Sequence, residues 1–181
     1  MEDCSAGAAR SVRPERPGDE AGVRAVTEAA FPTAEETQLV DRLRADRTAW
    51  LPGLSWVAVD DAGRIIAHSL LTRCQVGGAA ATALAPCSVD PAQQHRGVGS
   101  AVIRACLAAA VERGEDLVLV LGHPEYYPRF GFAPASRWGI RAPIEVPDAA
   151  MMALLLRAGA PVPAGVIRWA AAFGIPGPAE P

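Results

Sequence analysis

The spacing of hydrophobic residues in the N-terminal part of the chain predicts two amphipathic helices. Apolar residues recur every three or four positions between Asp19 and Phe31, and again between Glu35 and Asp46, as they do on one face of a helix. The first segment begins with acidic residues, where the helix dipole favours negative charge. Pro32 ends this segment, because proline cannot continue the backbone hydrogen bonding of a helix.

Alternating and continuous apolar runs predict the strands of a sheet. Two alternating runs flank a good turn sequence at 60–63 and form a hairpin. The continuous apolar run 117–121 is typical of a strand buried on both faces. Periodicity leaves 151–156 open between helix and strand, and we predict a strand; a loose connection is expected around 77–82. The predicted strands are 11–14, 55–59, 64–74, 83–89, 117–121 and 151–156.

A strand, a glycine turn and a long helix follow one another near the middle of the chain. The apolar run 83–89 closes at Pro91, and one apolar helical face extends from Gly97 to Arg113. The first turn of a helix has unpaired backbone N–H groups and partial positive charge, so it attracts phosphate. Gly97 and Gly99 remove side chains that would keep a phosphate from these amides. The turn therefore indicates a diphosphate site, although the same glycines also suit a purely structural turn.

The glycine spacing excludes two common phosphate-binding motifs and matches a third. Val102 stands where the dinucleotide fingerprint needs its third glycine, and the lysine of the phosphate-binding loop is missing because the chain has none. The pattern Val-x-Pro-x-x-Gln-x-x-Gly-x-Gly, from Val89 to Gly99, resembles the acetyl-CoA pyrophosphate motif of the GNAT superfamily of N-acetyltransferases. A second segment, from Tyr126 to Phe132, is similar to the superfamily's aromatic-Tyr-x-x-x-Gly-Phe segment.

The resemblance implies a fold as well as a coenzyme. The GNAT fold is an α/β (α+β) fold whose central sheet is mixed, mostly antiparallel and six to seven strands wide, with about four flanking helices. In it, strands 83–89 and 117–121 splay apart to admit the pantetheine arm. The length of 181 residues suits one domain, expected over 11–173 between a disordered tail at 1–10 and a Pro/Gly-rich tail at 174–181. The phrase Gly-His-Pro-Glu-Tyr-Tyr further resembles a subgroup of small bacterial GNAT proteins.

The resemblance also implies how acetyl-CoA binds and reacts. Backbone groups of Cys87 and Val89 are expected to pair with the pantetheine arm, and the Val89 amide to stabilise the developing oxyanion. Tyr127 matches the superfamily's general acid, which protonates the departing thiolate; Tyr126 is the fallback, and a plain core tyrosine is the alternative role. The amine is expected to attack the thioester directly. The residues expected to hold the pyrophosphate are Gln94, His95, Arg96, Gly97, Val98, Gly99 and Ser100.

The sequence departs from the superfamily at the residue that acts, in some members, as the base that deprotonates the amine. Some members place a glutamate on the strand before the turn, and the corresponding residue here is Ala83. His123 is the first substitute, because histidine titrates in the useful range, although a lone histidine before proline more often caps a loop. Cys87 could carry the acyl group, but we predict that it is structural, since buried cysteine commonly behaves as a small hydrophobe. Weaker candidates for the base are Glu35, Glu36 and His68.

Composition narrows the partners and the compartment. A net charge of −3 and a pI near 5.6 argue against a nucleic-acid partner. The four cysteines, at 4, 74, 87 and 106, lack metal-binding spacing, so no metal is expected. No apolar run is long enough to span a bilayer, and no secretory signal is visible. These features predict a cytoplasmic protein without a membrane partner.

Three interpretations of the sequence differ in class. The leading one is an acyltransferase that moves acetyl from acetyl-CoA to a small-molecule or peptide amine, as a monomer or homodimer. The second is a non-catalytic acyl-CoA-binding or regulatory module, which the missing glutamate favours. The third is an α/β interaction domain whose glycines only form a turn, and two matching motifs argue against it.

Overall fold

The structure, a computed structural model, describes residues 11–177, and the predicted tail at 1–10 lies outside them. Within this range, a mixed, mostly antiparallel sheet carries α-helices on both faces, which confirms the predicted fold class. The strands are β1 (Ser11–Pro14), β2 (Trp50–Val59), β3 (Ile65–Val76), β4 (Ala79–Val89), β5 (Leu117–Leu121), β6 (Ala133–Pro134), β7 (Ile140–Arg141), β8 (Met151–Leu155) and β9 (Gly165–Arg168). The α-helices are α1 (Glu20–Ala30), α2 (Glu35–Ala45) and α3 (Val98–Glu112).

The order of strands across the sheet is β1-β2-β3-β4-β5-β8-β6, with β9 beside β3 and β7. Along the main path, β4 and β5 are the parallel pair. Nine strands in the described range exceed the predicted six to seven, because β6, β7 and β9 are only two to four residues long and too short for a periodic pattern. Three α-helices replace the predicted four, since the short helix expected at 125–130 is a 3-10 helix over Tyr127–Phe130.

Alternate side chains of β2 divide the core between the two faces of the sheet. Val57 packs with Val23 of α1 and Val40 of α2. Its neighbour Ala58 packs with Val98 of α3, since successive residues of a strand point to opposite faces. The long helix therefore covers one face, and the two N-terminal helices cover the other.

The hairpin of β3 and β4 differs from the sequence prediction. A tight turn at 77–78 replaces the expected loose connection, and β4 begins at Ala79 rather than at 83. Alanine has a weak strand preference, but the small side chains of Ala81 and Ala83 fill the core that also contains β5. Tertiary packing therefore overrides local preference. The first hairpin strand is also longer than predicted, since β2 begins at Trp50.

The predicted splay between β4 and β5 is present. Their pairing is limited to residues 82–83 of β4 and 118–119 of β5, although β4 continues to Val89. From Leu84 to Cys87, β4 spans three positions where β3 spans two, which is a β-bulge, and such a bulge bends its strand. The gap opens beyond this bulge.

Candidate active site

A cavity of about 1030 Å³ lies beside the last residues of β4. Residues 87–89 of β4 form one wall, and the glycine turn with the start of α3, between 93 and 103, forms a second. The segment 123–129, which follows β5, forms the third. Phe31 at the end of α1 and His68 of β3 complete the lining. The cavity thus joins both faces of the sheet at the splay.

The end of β4 presents backbone amides to the gap. The amide of Asp90 donates to the carbonyl oxygen of Ile66 at 2.9 Å, on the β3 side. Because successive amides of a strand point to opposite edges, the amides of Val89 and Cys87 point away from β3. At this level β5 no longer pairs with β4, so this edge can pair with an extended ligand.

The start of α3 presents a second set of backbone amides. Gly97 is the N-cap, with φ of 81° in the left-handed region, which a glycine adopts without strain. The amide of Ala101 is the donor to the Gly97 carbonyl, at 2.9 Å. The preceding amides of Val98, Gly99 and Ser100 therefore have no acceptor within the helix. This is the geometry of an anion site.

Most of the residues that were predicted from the sequence to bind the coenzyme line the cavity. Those in the wall are Cys87, Val89, Gln94, His95, Gly97, Val98, Gly99 and Ser100. Arg96 is exposed and is not part of the wall. Gln93, which the motif did not single out, lines the cavity, and its Oε1 is buried without a hydrogen-bond partner among residues 11–177.

Tyr127 is held in the cavity wall by close ring packing. Its ring lies edge-on to that of Phe132, with centroids 5.8 Å apart. A Cβ added to Gly122 would clash with Tyr127 Cε2, so a larger residue there would displace the ring. Burial and, second, the neighbouring Cys87 thiol raise the pKa of Tyr127 far above its usual value. The hydroxyl therefore keeps its proton at neutral pH and can donate it.

The Cys87 thiol is protonated as well. Its Sγ lies 3.6 Å from the Ser69 Oγ. Burial raises the pKa of Cys87 to about 11, although hydrogen bonds with Ser69 and Tyr127 act in the opposite direction. Since the thiolate is the nucleophilic form of cysteine, the arrangement favours the predicted structural role over an acyl-carrying one.

The remaining sequence candidates lie at the rim or outside the cavity. His123 is exposed at the rim, and its carbonyl oxygen accepts the Tyr126 amide at 3.0 Å. The Tyr126 hydroxyl is 3.4 Å from the Ser100 Oγ, at the start of α3. Glu35 and Glu36 open α2 and do not line the cavity. The proposed roles of Tyr127 and His123 in catalysis remain predictions.

A buried polar network reaches the cavity from the opposite side of the sheet. His68 is fully buried and lines the cavity, and its Nε2 lies 2.8 Å from the Ser55 Oγ. The Ser55 hydroxyl donates to Glu15 Oε2, which is 3.7 Å from His68 Nε2. The other carboxylate oxygen, Glu15 Oε1, accepts from Arg44 at 2.6 Å.

Glu15 is ionised in this network. Burial by itself raises the pKa of the carboxyl group. The neighbouring His68 ring and the Ser55 hydroxyl, together with the positive charge of Arg44, outweigh burial and lower the pKa of Glu15 to about 2. Its side chain is 7% exposed, so solvent screens these interactions little.

Sequence reasoning ranked His68 low and missed Glu15 and Ser55. A signal for two of the network residues exists in the strands, where Ser55, His68 and Ser88 interrupt apolar runs of β2, β3 and β4. Pairing places His68 directly opposite Ser88. Glu15 follows β1, outside any periodic pattern, so no local signal identifies it.

Residues 11–177 contain neither a candidate metal site nor a helix able to cross a membrane. No group of histidine, cysteine, aspartate and glutamate in this range is arranged to hold a metal ion. Cys74, Cys87 and Cys106 are free thiols, and Cys4 lies outside the described residues. None of the described helices has the length and apolar character needed to cross a bilayer.

Curated relatives identify the family of the chain. The model of the acetyltransferase (GNAT) family matches residues 22–132. The uncharacterized N-acetyltransferase YjhQ of Escherichia coli K12 is 37% identical over 135 residues, which cover 72% of this chain and 74% of YjhQ. YhbS, another uncharacterized N-acetyltransferase of that strain, is 33% identical over 132 residues, covering 72% of this chain and 77% of YhbS.

Solved structures of GNAT proteins share the fold. YhbS from Escherichia coli, solved in complex with CoA, superposes with a TM-score of 0.83 at 27% identity, over 91% of both chains. A GNAT family acetyltransferase from Brucella melitensis, solved with acetyl-CoA, gives a TM-score of 0.73 at 34% identity, over 90% of this chain and 97% of that one. Sequence motifs, sheet topology and relatives agree that this chain belongs to the GNAT family of acetyltransferases.

Proposed function

We propose that the protein transfers the acetyl group of acetyl-CoA to a primary amine. One observation carries the proposal: a single cavity contains the free amides at the start of α3, the end of β4 and the side chain of Tyr127. YhbS and the Brucella acetyltransferase were solved with CoA and acetyl-CoA. The donor groups in this cavity fit the same coenzyme.

The coenzyme binds through backbone groups. Its pyrophosphate accepts hydrogen bonds from the amides that open α3, and charge-assisted bonds of this kind are strong. Arg96, exposed beside the turn, contributes positive charge. The pantetheine arm lies along the gap and pairs with the amides of Cys87 and Val89 in the manner of an added strand.

The amine attacks the thioester directly, in a ternary complex. The nitrogen lone pair forms the C–N bond, and the carbonyl oxygen gains negative charge that the Val89 amide stabilises. When the C–S bond breaks, the CoA thiolate takes a proton from the Tyr127 hydroxyl, which solvent later restores. The protonated state of Cys87 supports this order of events over an acyl-cysteine intermediate.

The acceptor enters from the side of the cavity formed by Phe31 and His68. This wall is partly apolar, and it does not select between a small-molecule and a peptide amine. A monomeric or homodimeric cytoplasmic enzyme remains the prediction for the assembly and its location.

A thiol-release assay tests the proposal. The protein is incubated with acetyl-CoA and a panel of alkylamines, polyamines, amino acids and peptides, and CoA thiol is detected with a thiol-reactive dye. We expect amine-dependent release, and a loss of kcat on the order of a hundredfold in Tyr127→Phe. Phe preserves the ring packing, so the affinity for CoA should change less than about twofold.

The neighbouring tyrosine provides the matched comparison. Tyr126→Phe removes the same atom from a ring one position away, close to Ser100 rather than Cys87. A larger loss in Tyr126→Phe would assign the acid to Tyr126. Saturable CoA binding without release by any amine would instead support the non-catalytic acyl-CoA-binding module.

A further inference from the structure

His68 is the one cavity residue whose ring is fixed by a buried network. Its side chain is fully buried, and Nε2 is engaged by Ser55. The other ring nitrogen, Nδ1, is buried and has no hydrogen-bond partner within residues 11–177. A buried polar atom without a partner is costly, so a site that keeps one is a candidate for ligand contact.

The protons in the network fix the tautomer of His68. Glu15 is ionised and can only accept hydrogen bonds. The single hydroxyl proton of Ser55 is donated to Glu15, so the Ser55 oxygen must accept from its other neighbour. That neighbour is His68 Nε2, which therefore carries the ring proton. In this tautomer the ring lone pair lies on Nδ1.

We propose that His68 is the base that takes the proton from the acceptor ammonium, and that Ser55 and Glu15 position it for this task. The inference rests on the proposed function and adds a residue to it. His68 and Phe31 line the part of the cavity that faces α1, whereas the anion site at α3 lies across the sheet. The base and the coenzyme thus meet the thioester from opposite sides.

The proton transfer balances without another reactant. The ammonium R–NH3⁺ gives one proton to Nδ1 and becomes R–NH2, and His68 becomes an imidazolium. Its positive charge is stabilised by Glu15, whose Oε2 is 3.7 Å from Nε2. After the neutral amine attacks, Tyr127 gives its proton to the thiolate, and the nitrogen in the intermediate loses its second proton to solvent. Solvent then returns one proton to Tyr127, and His68 releases its own to solvent, so that one proton is released in each turnover.

The charged and titratable groups near His68 come from several elements. Glu15 follows β1, and its partner Arg44 lies in α2. The β4 neighbour Ser88 donates to the Thr27 hydroxyl of α1 at 3.1 Å, so its proton is directed away from His68. The cavity groups Cys87 and Tyr127 are both protonated at neutral pH. Among these groups, Glu15 alone carries a full negative charge.

His123 also lines the cavity, but it is a weaker candidate for the base than His68. It is exposed at the rim, and no described residue hydrogen-bonds to its ring. No described side chain fixes its orientation, whereas Ser55 fixes that of His68. The two histidines make opposite predictions, and a matched pair of variants separates them.

The kinetic test compares His68→Gln with His123→Gln across pH, using the amine that the wild type turns over fastest in the panel above. A glutamine amide can still donate to Ser55 but cannot take a proton. We expect kcat/KM of His68→Gln to fall on the order of a hundredfold at neutral pH. The loss should shrink as pH approaches the pKa of the amine, because solvent then supplies the neutral nucleophile.

Four results would overturn the inference. One is an equal loss in His68→Gln at every pH, which would indicate a structural role. Another is wild-type kcat/KM in His68→Gln, and a third is a larger loss in His123→Gln. Absence of turnover by the wild type would overturn the proposed function and the inference together, whereas the first three leave the proposed function standing. Unchanged CoA affinity of His68→Gln confirms that the variant is folded.

Nitrogen-15 NMR of the histidine rings tests the tautomer of His68 in the absence of any amine substrate. The chain has only three histidines, so His68→Gln assigns the signal. We expect a neutral ring protonated at Nε2, and a mixture of tautomers in Ser55→Ala, which removes the fixed acceptor. A ring protonated at Nδ1 in the wild type, or an imidazolium that persists at mildly alkaline pH, would contradict the inference, because Nδ1 could then accept no proton.

Discussion

The two sides of the cavity are built by different means. The proposed coenzyme side, around the glycine turn and α3, consists mostly of backbone amides. The proposed acceptor side, around His68, consists of side chains from three separate strands or loops joined by hydrogen bonds. The first side follows from a short stretch of sequence, and the second exists only after the sheet has paired.

This difference explains why one side of the cavity is recognisable from the sequence and the other is not. A helix N-terminus binds phosphate through its amides, so the sequence must supply only small residues and the right spacing. The acceptor side must fit one substrate among many, and its parts can come from any element near the splay. The coenzyme is therefore evident from the chain, and the acceptor is not.

The largest effect is expected from a substitution that disrupts the coenzyme side alone. Gly97→Glu places a negative side chain beside the amides of α3 and should weaken CoA binding roughly a hundredfold, or about 3 kcal/mol, the equivalent of one or two lost charge-assisted hydrogen bonds. Gly114→Glu is the matched control. Both glycines have left-handed φ and open space where Cβ would lie, but Gly114 follows the far end of α3. Calorimetry that finds equal losses in both variants would indicate general strain instead.

The acceptor side should respond to acid where the coenzyme side does not. Glu15 has a folded pKa near 2, below its usual 4.5, so its ionised form stabilises the fold at pH values above the unfolded pKa. As pH falls from about 4.5 toward about 2, this contribution of about 3 kcal/mol is lost.

Urea unfolding at neutral pH and near pH 3 measures this effect. The free energy of unfolding of Glu15→Gln should depend less on pH than that of the wild type, by about 2 kcal/mol, because part of the contribution is still present at pH 3, above the folded pKa of Glu15. Glu28→Gln, an exposed change in α1, should retain the wild-type dependence. Equal pH dependence in wild type and Glu15→Gln would show that the network does not hold an ionised carboxylate.

A smaller effect is expected where the two sides meet. Gly122→Ala would bring a methyl group against the Tyr127 ring, which must then shift. We expect kcat to fall about tenfold with CoA affinity nearly unchanged, because a misplaced catalytic group costs rate before it costs binding. Steady-state kinetics with calorimetry checks this, and a rate equal to the wild type would indicate that Tyr127 tolerates displacement and is not the acid.

The smallest expected effect lies on the acceptor wall. Phe31 is half-buried at the end of α1 and lines the cavity. Phe31→Ala should raise KM for the amine severalfold and leave the CoA dissociation constant unchanged, since apolar contacts here concern the acceptor alone. A parallel loss of CoA affinity would place Phe31 on the coenzyme side and remove the distinction between the two sides.

Local patterns predicted the elements that carry their own signal. The turn at Gly97, the apolar run of β5 and the hairpin of β2 and β3 all followed from spacing and turn residues. Their boundaries were less accurate, since β4 gains its first residues by packing alanines beneath β5. β9 was missed because its four residues pair with β3 and β7, and contacts so distant in sequence leave no periodic pattern.

The candidate site likewise contains a part that local sequence predicts and a part that it does not. Most of the predicted coenzyme residues lie together in one cavity because a single turn positions them. The Glu15, Ser55 and His68 network is assembled by three segments whose register is set by the whole sheet. Ala83 illustrates the limit of motif matching, because it is buried in the paired part of β4 and does not line the cavity.

Calorimetric titration of the wild-type protein with acetyl-CoA and with CoA tests the central claim most directly. The account predicts saturable binding of one molecule of either ligand per chain, accompanied by a raised melting temperature, because a ligand that binds only the folded state stabilises it. A folded protein that shows neither heat nor thermal stabilisation with either ligand would contradict it and leave the glycine turn as architecture alone.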